Sequence, residues 1–167
     1  MKQKIQTDLT KALKKGDEIT RSVLRMLLAE VLSKEKEKRY KASKEKPDLN
    51  EEKLAEKSAL TDEEIIEVVF SEVKKRKEAI ESFKKGKRED LVEKERAELE
   101  VLQIYLPEQL SEEEIKKIVK EAIEKTEAKE MKDMGKVMSE IMPKVKGKAD
   151  GGLVSRVVKE LLSAETK

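Results

Sequence analysis

The sequence predicts an all-α protein, and three observations carry that reading. Residues that favour helix (Glu, Lys, Leu, Ala and Met) dominate the composition. Only four aromatics, Tyr40, Phe70, Phe83 and Tyr105, occur among 167 residues, fewer than the pleated, half-buried surface of a sheet usually requires. Apolar residues also recur with the 3.6-residue period of amphipathic helices along most of the chain. The expected layout is an N-terminal helical domain over residues 1–106, built around a long antiparallel hairpin, and a small C-terminal three-helix domain over 107–167.

The elements follow in order. Ile5, Leu9, Ala12 and Leu13 make a helical stripe over 2–15, ended by Gly16. A second helix is predicted over 18–38. There Val23, Leu24, Leu27, Leu28, Val31 and Leu32 span an arc of about 180°, wide enough to suggest burial on two sides. Residues 36–60 are polar and read as a mobile or weakly helical insertion, broken at Pro47, with Asn50 able to cap a short helix over 51–59. Thr61 and Glu64 form a capping box, the strongest start signal in the chain. The helix behind it runs to Lys85 and stops at Gly86, with Ile65, Ile66, Val69, Val73, Ile80 and Phe83 inside an arc of about 100°. The segment "GKRED" turns the chain, and Leu91, Leu99, Leu102 and Leu106 mark a return helix ending before Pro107, which completes the hairpin. Ser111 and Glu114 form a second capping box ahead of a helix over 112–125. "TEAKE" reads as a loop. Met134, Val137, Met138, Ile141 and Met142 then mark a helix closed by Pro143. The last helix begins near Gly151 with Asp150 as N-cap.

Composition narrows the chemistry. Charged residues make up 46% of the chain, yet 39 basic and 37 acidic groups leave a net charge of only +2. Any electrostatic signal must therefore lie in local clustering. There is no Cys and no His, which removes thiol nucleophiles, thiolate zinc sites and imidazole general bases together. No catalytic residue, metal site or cofactor is assigned. Dense Lys and Glu with few thermolabile residues resemble thermophile usage. The absence of a membrane-length apolar run and of a signal-peptide core makes cytoplasmic the expected location.

Two basic clusters are candidate sites. From Lys144 to Lys159 there are five bases (Lys144, Lys146, Lys148, Arg156, Lys159) and one acid, Asp150. Gly151 and Gly152 begin a helix whose free N–H groups suit an anion. Gly147 and Gly152 have the spacing of a phosphate-binding P-loop, but "LV" follows where Lys and Ser/Thr are required, so that motif is excluded. From these residues alone, an ordinary turn between two helices, with solvated lysines, is the stronger reading. The second cluster, "KKRKEAIESFKKGKR" over 74–88, carries eight bases and two acids. Lys74, Lys77 and Lys84 share one flank of the helix, and Arg88 follows its C-terminus, so the group could track a phosphate backbone. Basic residues at a helix C-terminus also complement its dipole. Arg76 falls inside the apolar arc, about 20° from Ile65, and an intramolecular ion pair is its leading explanation. The methionines Met131, Met134, Met138 and Met142 are expected in the core. The acidic runs "TDEE" and "SEEE" are explained by their place in first helical turns.

Taken together, "VLRMLLAEV", "KKRKEAIESFKKGKREDLVEKERAELEVLQIYLPEQLSEEEI" and "KDMGKVMSEIMPKVKGKADGGLVSRVVKELL" resemble the GatB/YqeY family over most of the chain and in order. The departure is 36–60, which is longer than typical. The resemblance implies an N-terminal helical domain and a smaller C-terminal one. It also implies kinship with the tail of the B subunit of glutamine-dependent tRNA amidotransferase and with modules appended to some glutaminyl-tRNA synthetases. Those tails help hold tRNA while catalysis lies elsewhere. On this reading tRNA is the expected partner, with a tRNA-processing or aminoacylation enzyme as a further one. Lys136, Lys144, Lys146, Gly147, Lys148 and Gly151 are the implied backbone contacts, joined by Arg156 and Lys159. Standalone relatives are often labelled carbon–nitrogen ligases using glutamine as amido donor. This chain shows neither an ATP-phosphate motif nor an amidase Ser/Lys arrangement, so the isolated chain is read as a binding module, with a ligase component or a protein-interaction adaptor as alternatives.

Overall fold

The computed structural model describes residues 1–165, and every regular element among them is helical. The helices are α1 (Lys2–Lys15), α2 (Glu18–Glu45), α3 (Glu51–Ser58), α4 (Asp62–Lys85), α5 (Glu89–Gln103), α6 (Glu112–Thr126), α7 (Met134–Val145) and α8 (Gly151–Glu165), with a single 3₁₀ turn at Met131–Asp133. The chain divides into two compact units, Met1–Leu106 and Pro107–Lys167.

In the first unit the core is made by Ile5 of α1, Val23, Leu24, Leu27 and Val31 of α2, Ile65, Val68, Val69 and Val73 of α4, and Leu102 and Tyr105 at the end of the unit. Each fully buried Val, Leu or Ile contributes about 1.5–3 kcal/mol relative to exposure. The Thr61–Glu64 capping box forms in full and starts α4. Arg76 and Glu98 each lie eleven residues from Lys87 in the turn and meet at 3.2 Å, so α4 and α5 run antiparallel as the sequence predicts.

Several expectations in this unit need correction. α2 continues to Glu45 instead of stopping at 38. The added turns are rich in helix-favouring Lys, Glu and Ala and are tied down from outside. Lys38 Nζ reaches both carboxylate oxygens of Glu64 at 2.8 Å, and Arg39 reaches Glu51 at 3.5 Å. The helix ends only at the "KPD" turn. Residues 36–60 are thus helical over most of their length, and Asn50 caps α3 through Lys53 N–H as predicted. Leu32 is 49% exposed, so the buried arc of α2 is narrower than its apolar arc. α5 ends at Gln103, short of Leu106. The N–H groups of Tyr105 and Leu106 bond three residues back, to Leu102 and Gln103, and this tighter winding closes the helix.

The second unit packs α6, α7 and α8 around Ile115, Val119, Ala122, Ile123, Val137, Ile141, Val145, Val154, Val157, Val158 and Leu162. The Ser111–Glu114 capping box is complete. Pro143 does not close α7: it lies inside the helix, which runs to Val145. Proline removes its own N–H and crowds the carbonyl four residues back, but Lys146 N–H still reaches the Met142 carbonyl at 3.0 Å, and the buried Val145 side chain holds the extra turn in the core. Of the four methionines, Met134 and Met138 pack against the core, while Met131 and Met142 are 44% and 41% exposed. One arc of α7 is therefore wider than the surface available to cover it.

Candidate nucleic-acid interface

The turn joining α7 to α8 is built from its own backbone. Lys148 and Ala149 both donate N–H to the Val145 carbonyl, at 2.9 and 3.0 Å. Gly147 sits at φ 72°, a left-handed conformation that glycine adopts without a steric penalty. The turn is pinned by a segment that sequence reading treated only as a joint between domains. Gln109 Nε2 donates to the Gly147 carbonyl at 3.0 Å, and Leu110 N–H donates to the Lys148 carbonyl at 2.8 Å. The one available signal was that "PEQL" precedes a capped helix without regular structure of its own, so its polar groups required partners outside itself. With these carbonyls turned toward Gln109 and Leu110, the turn offers solvent its lysine side chains.

The start of α8 carries its own anion. Asp150 Oδ1 accepts from Leu153 N–H at 3.0 Å, the N-cap bond expected of this residue. A Cβ on Gly152 would lie 2.9 Å from the same oxygen, so glycine there lets the capping carboxylate fold over the helix end. Gly151 is exposed, with open space where its Cβ would be.

The basic side chains differ in how firmly they are held. Lys136 bonds Asp133 at 2.9 Å, and this bond, with Lys129 N–H, keeps the Asp133 carboxyl below its ordinary range. Lys144 is only 3.8 Å from Glu140, an acid already engaged by Lys125 at 2.7 Å. Lys146 is exposed and has an interaction of its own. Arg156 reaches Glu160 at 4.0 Å, and its side chain is 64% exposed. Lys148 and Lys159 are exposed and make no ion pair within 4.0 Å among the described residues. Lys144, Lys146 and Lys148 thus converge on one turn with Gly147 and Gly151. Arg156 and Lys159 lie on the solvent face of α8, and Lys136 lies about 12 Å back along α7.

The other cluster, within the first unit, is spent on structure only in part. Arg76 is 8% exposed and bonds Glu72 at 2.5 Å and Glu98 at 3.2 Å, so its place in the apolar arc is that of a buried ion pair across the hairpin. Lys75 takes the other oxygen of Glu72 at 2.6 Å. Arg88 forks onto both oxygens of Asp90 at 3.0 and 2.8 Å, which raises the guanidinium pKa and lowers that of the carboxyl. Lys74 also has a partner. Lys77, Lys84, Lys85 and Lys87 are exposed and make no ion pair within 4.0 Å among the described residues, so pairing explains most of the "KKRK" run but not the bases at the end of α4. Among the described residues there is no group of three or more His, Cys, Asp or Glu arranged to hold a metal, and no helix is long and apolar enough to cross a membrane.

Comparison with known proteins places the chain. The family described as Yqey-like protein matches residues 2–162. The chain belongs to the YqeY-like family. The YqeY-like chain is also 32% identical over 165 residues to a protein of Pyrenophora tritici-repentis named altered inheritance of mitochondria protein 41, mitochondrial, covering 97% of this chain and 81% of that one. Over 66 residues it is 42% identical to an uncharacterized protein of Schizosaccharomyces pombe, covering 38% of this chain and 54% of that one. The family resemblance drawn from the sequence motifs is thus established at the level of the YqeY-like module.

Proposed function

We propose that this YqeY-like chain is a tRNA-binding accessory module that grips RNA by backbone and shape and has no catalytic activity alone. The observation that carries the reading is the state of the cations in the second unit. Lys148 and Lys159 are uncommitted among the described residues, and Lys144 and Arg156 are held only at the outer limit of ion pairing. These are the side chains that phosphate can recruit at least cost, because little existing pairing must be broken. The partly paired cluster at 74–88 is a secondary surface reached through Lys77 and Lys84. Only four aromatics serve the whole chain, which favours helical RNA read through phosphate and 2′-OH groups over single strands read by stacking. The likeness to amidotransferase tails suggests that any amide-transfer chemistry belongs to a partner enzyme.

The test is a salt titration of binding to unfractionated tRNA. Five phosphate contacts would give a slope of log affinity against log salt of roughly −3.5 to −4.5. Replacing Lys144, Lys146 and Lys148 together by Glu should flatten the slope and remove most of the affinity. Binding that ignores salt, or that survives the triple replacement unchanged, would overturn the proposal.

A further inference from the structure

Helix α2 carries a second face that the first unit does not use. Taking 100° per residue, its buried residues Val23, Leu24, Leu27 and Val31 centre near 95°, counted from Ile19, whereas Ile19, Ser22, Met26, Ala29 and Ser33 fall between about 280° and 360°. All five of these are exposed, with Ile19 at 46% and Met26 at 51%. They recur at intervals of three and four residues, the seam of a two-stranded coiled coil, over about 21 Å. The chain is 46% charged, yet these five consecutive seam positions contain no charge. The seam ends at Lys36. Beyond it Tyr40 is 61% exposed, with Lys44 Nζ 4.6 Å from its ring centroid.

The charges beside the seam select its occupant. On one flank stand Arg25 and the 49% exposed Leu32; on the other stand Val23 and Glu30. Neither Arg25 nor Glu30 makes an ion pair within 4.0 Å among the described residues, and Glu30 has only a longer-range attraction toward Lys75. In a parallel pair of coiled helices each flank residue faces the position five later on the other flank of its partner. That register sets Arg25 of each copy against Glu30 of the other, twice, by symmetry. An antiparallel pair centred on the same seam aligns like flanks, Arg25 with Arg25 or Leu32 and Glu30 with Val23 or Glu30, so no opposite charges meet.

We propose that the exposed face of α2 from Ile19 to Ser33 is a self-association surface, at which two copies of the chain pair parallel through a two-fold axis. The pair is isologous, with Ile19 and Met26 each meeting their own counterparts and two Arg25–Glu30 contacts flanking them. Ser and Ala at three of the five positions leave little apolar surface to bury, so the dimer is a weak and exchanging one, in the low-area class of interfaces.

Sedimentation equilibrium of the full chain tests this. The average mass should rise from monomer toward dimer between about 10 μM and 1 mM. Met26→Glu should hold the chain monomeric throughout. Arg25→Glu and Glu30→Arg should each weaken association at least about tenfold, because each sets like charges against each other. An equimolar mixture of the two variants should recover a heterodimer, in which both contacts are again of opposite sign. All three sites are at or near the surface, so thermal melts of the variants should match the parent; the mixing arm also reports association independently of any change in fold stability. A chain that stays monomeric to 1 mM would overturn the proposal. So would a dimer indifferent to Met26→Glu, or charge variants that fail to recover on mixing.

Discussion

Replacing Arg76 by Met should destabilise the first unit by about 1–2 kcal/mol, and the size follows from three opposing effects. Breaking a buried ion pair by removing one partner costs about 3–5 kcal/mol, because the remaining charge stays buried. Glu72 and Glu98 would be left with side chains only 9% and 13% exposed. Against this, Glu72 keeps Lys75 at 2.6 Å, a half-exposed pair worth up to about 1 kcal/mol. The variant also discards a buried donor that lacks an acceptor, since Arg76 Nε has no hydrogen-bond partner; such a group costs about 1–3 kcal/mol. Those two offsets reduce the loss without cancelling it. The assay is urea unfolding followed by tyrosine fluorescence. Both tyrosines, Tyr40 and Tyr105, lie in the first unit, so the signal reports that unit even where the two unfold separately. The companion variant Glu72→Leu, Arg76→Met, Glu98→Leu removes the charges together and should recover the lost stability or exceed it. A single Arg76→Met change that leaves stability unaltered or raises it, or a triple variant weaker than the single one, would refute the idea that uncompensated buried charge sets the cost.

Two further outcomes follow from the same geometry. Gly152→Ala should cost about 1 kcal/mol in the parent, because the new Cβ displaces the Asp150 cap. In an Asp150→Ala background it should become neutral or stabilising, since Ala favours helix over Gly; a double-mutant cycle from thermal melts reads the difference. Tyr105 donates to Asp8 at 3.0 Å, and burial, then this bond and the Asp8 charge, raise its phenol pKa. A folded pKa above the unfolded one means that the neutral phenol's contribution is complete below about pH 10 and is lost as pH climbs beyond it. Tyr105→Phe should therefore cost about 1 kcal/mol at pH 7, with the gap to the parent closing at higher pH when unfolding is followed by circular dichroism.

Much of this architecture was legible in the sequence because its signals are local. A Thr or Ser three residues before a Glu satisfies backbone donors wherever the rest of the chain lies, so the starts of α4 and α6 were readable from Thr61 and Ser111. Asp150 and Asn50 capped their helices for the same reason. The stops were less legible. Pro143 was read as an end because proline opposes helix, but the buried Val145 beyond it decided otherwise. α2 ran past residue 38 because Glu64 and Glu51, distant in sequence, paired with Lys38 and Arg39. Periodicity alone also overstated burial: Leu32 and Met142 lie on apolar arcs yet remain exposed, since an arc shows what a helix could bury and not whether a neighbour is there to cover it.

The candidate interface divides in the same way. The sequence by itself determined the helical class, the caps, the glycine turn and the density of lysines around it, along with the YqeY-like signature. It also showed that no Cys or His is available. Only the tertiary structure decided which charges are committed. Ion pairs depend on approach between side chains that are remote in sequence or turned toward one another by packing. The lysine runs at 74–88 and 144–159 each hold both kinds of cation: Arg76 sits between Glu72 and Glu98 and Arg88 on Asp90, whereas Lys77, Lys84, Lys148 and Lys159 face solvent without an ion pair within 4.0 Å among the described residues. Likewise, that Gln109 and Leu110 hold the α7–α8 turn from outside is a consequence of packing, because a backbone carbonyl carries no sequence signature of the donor that will reach it.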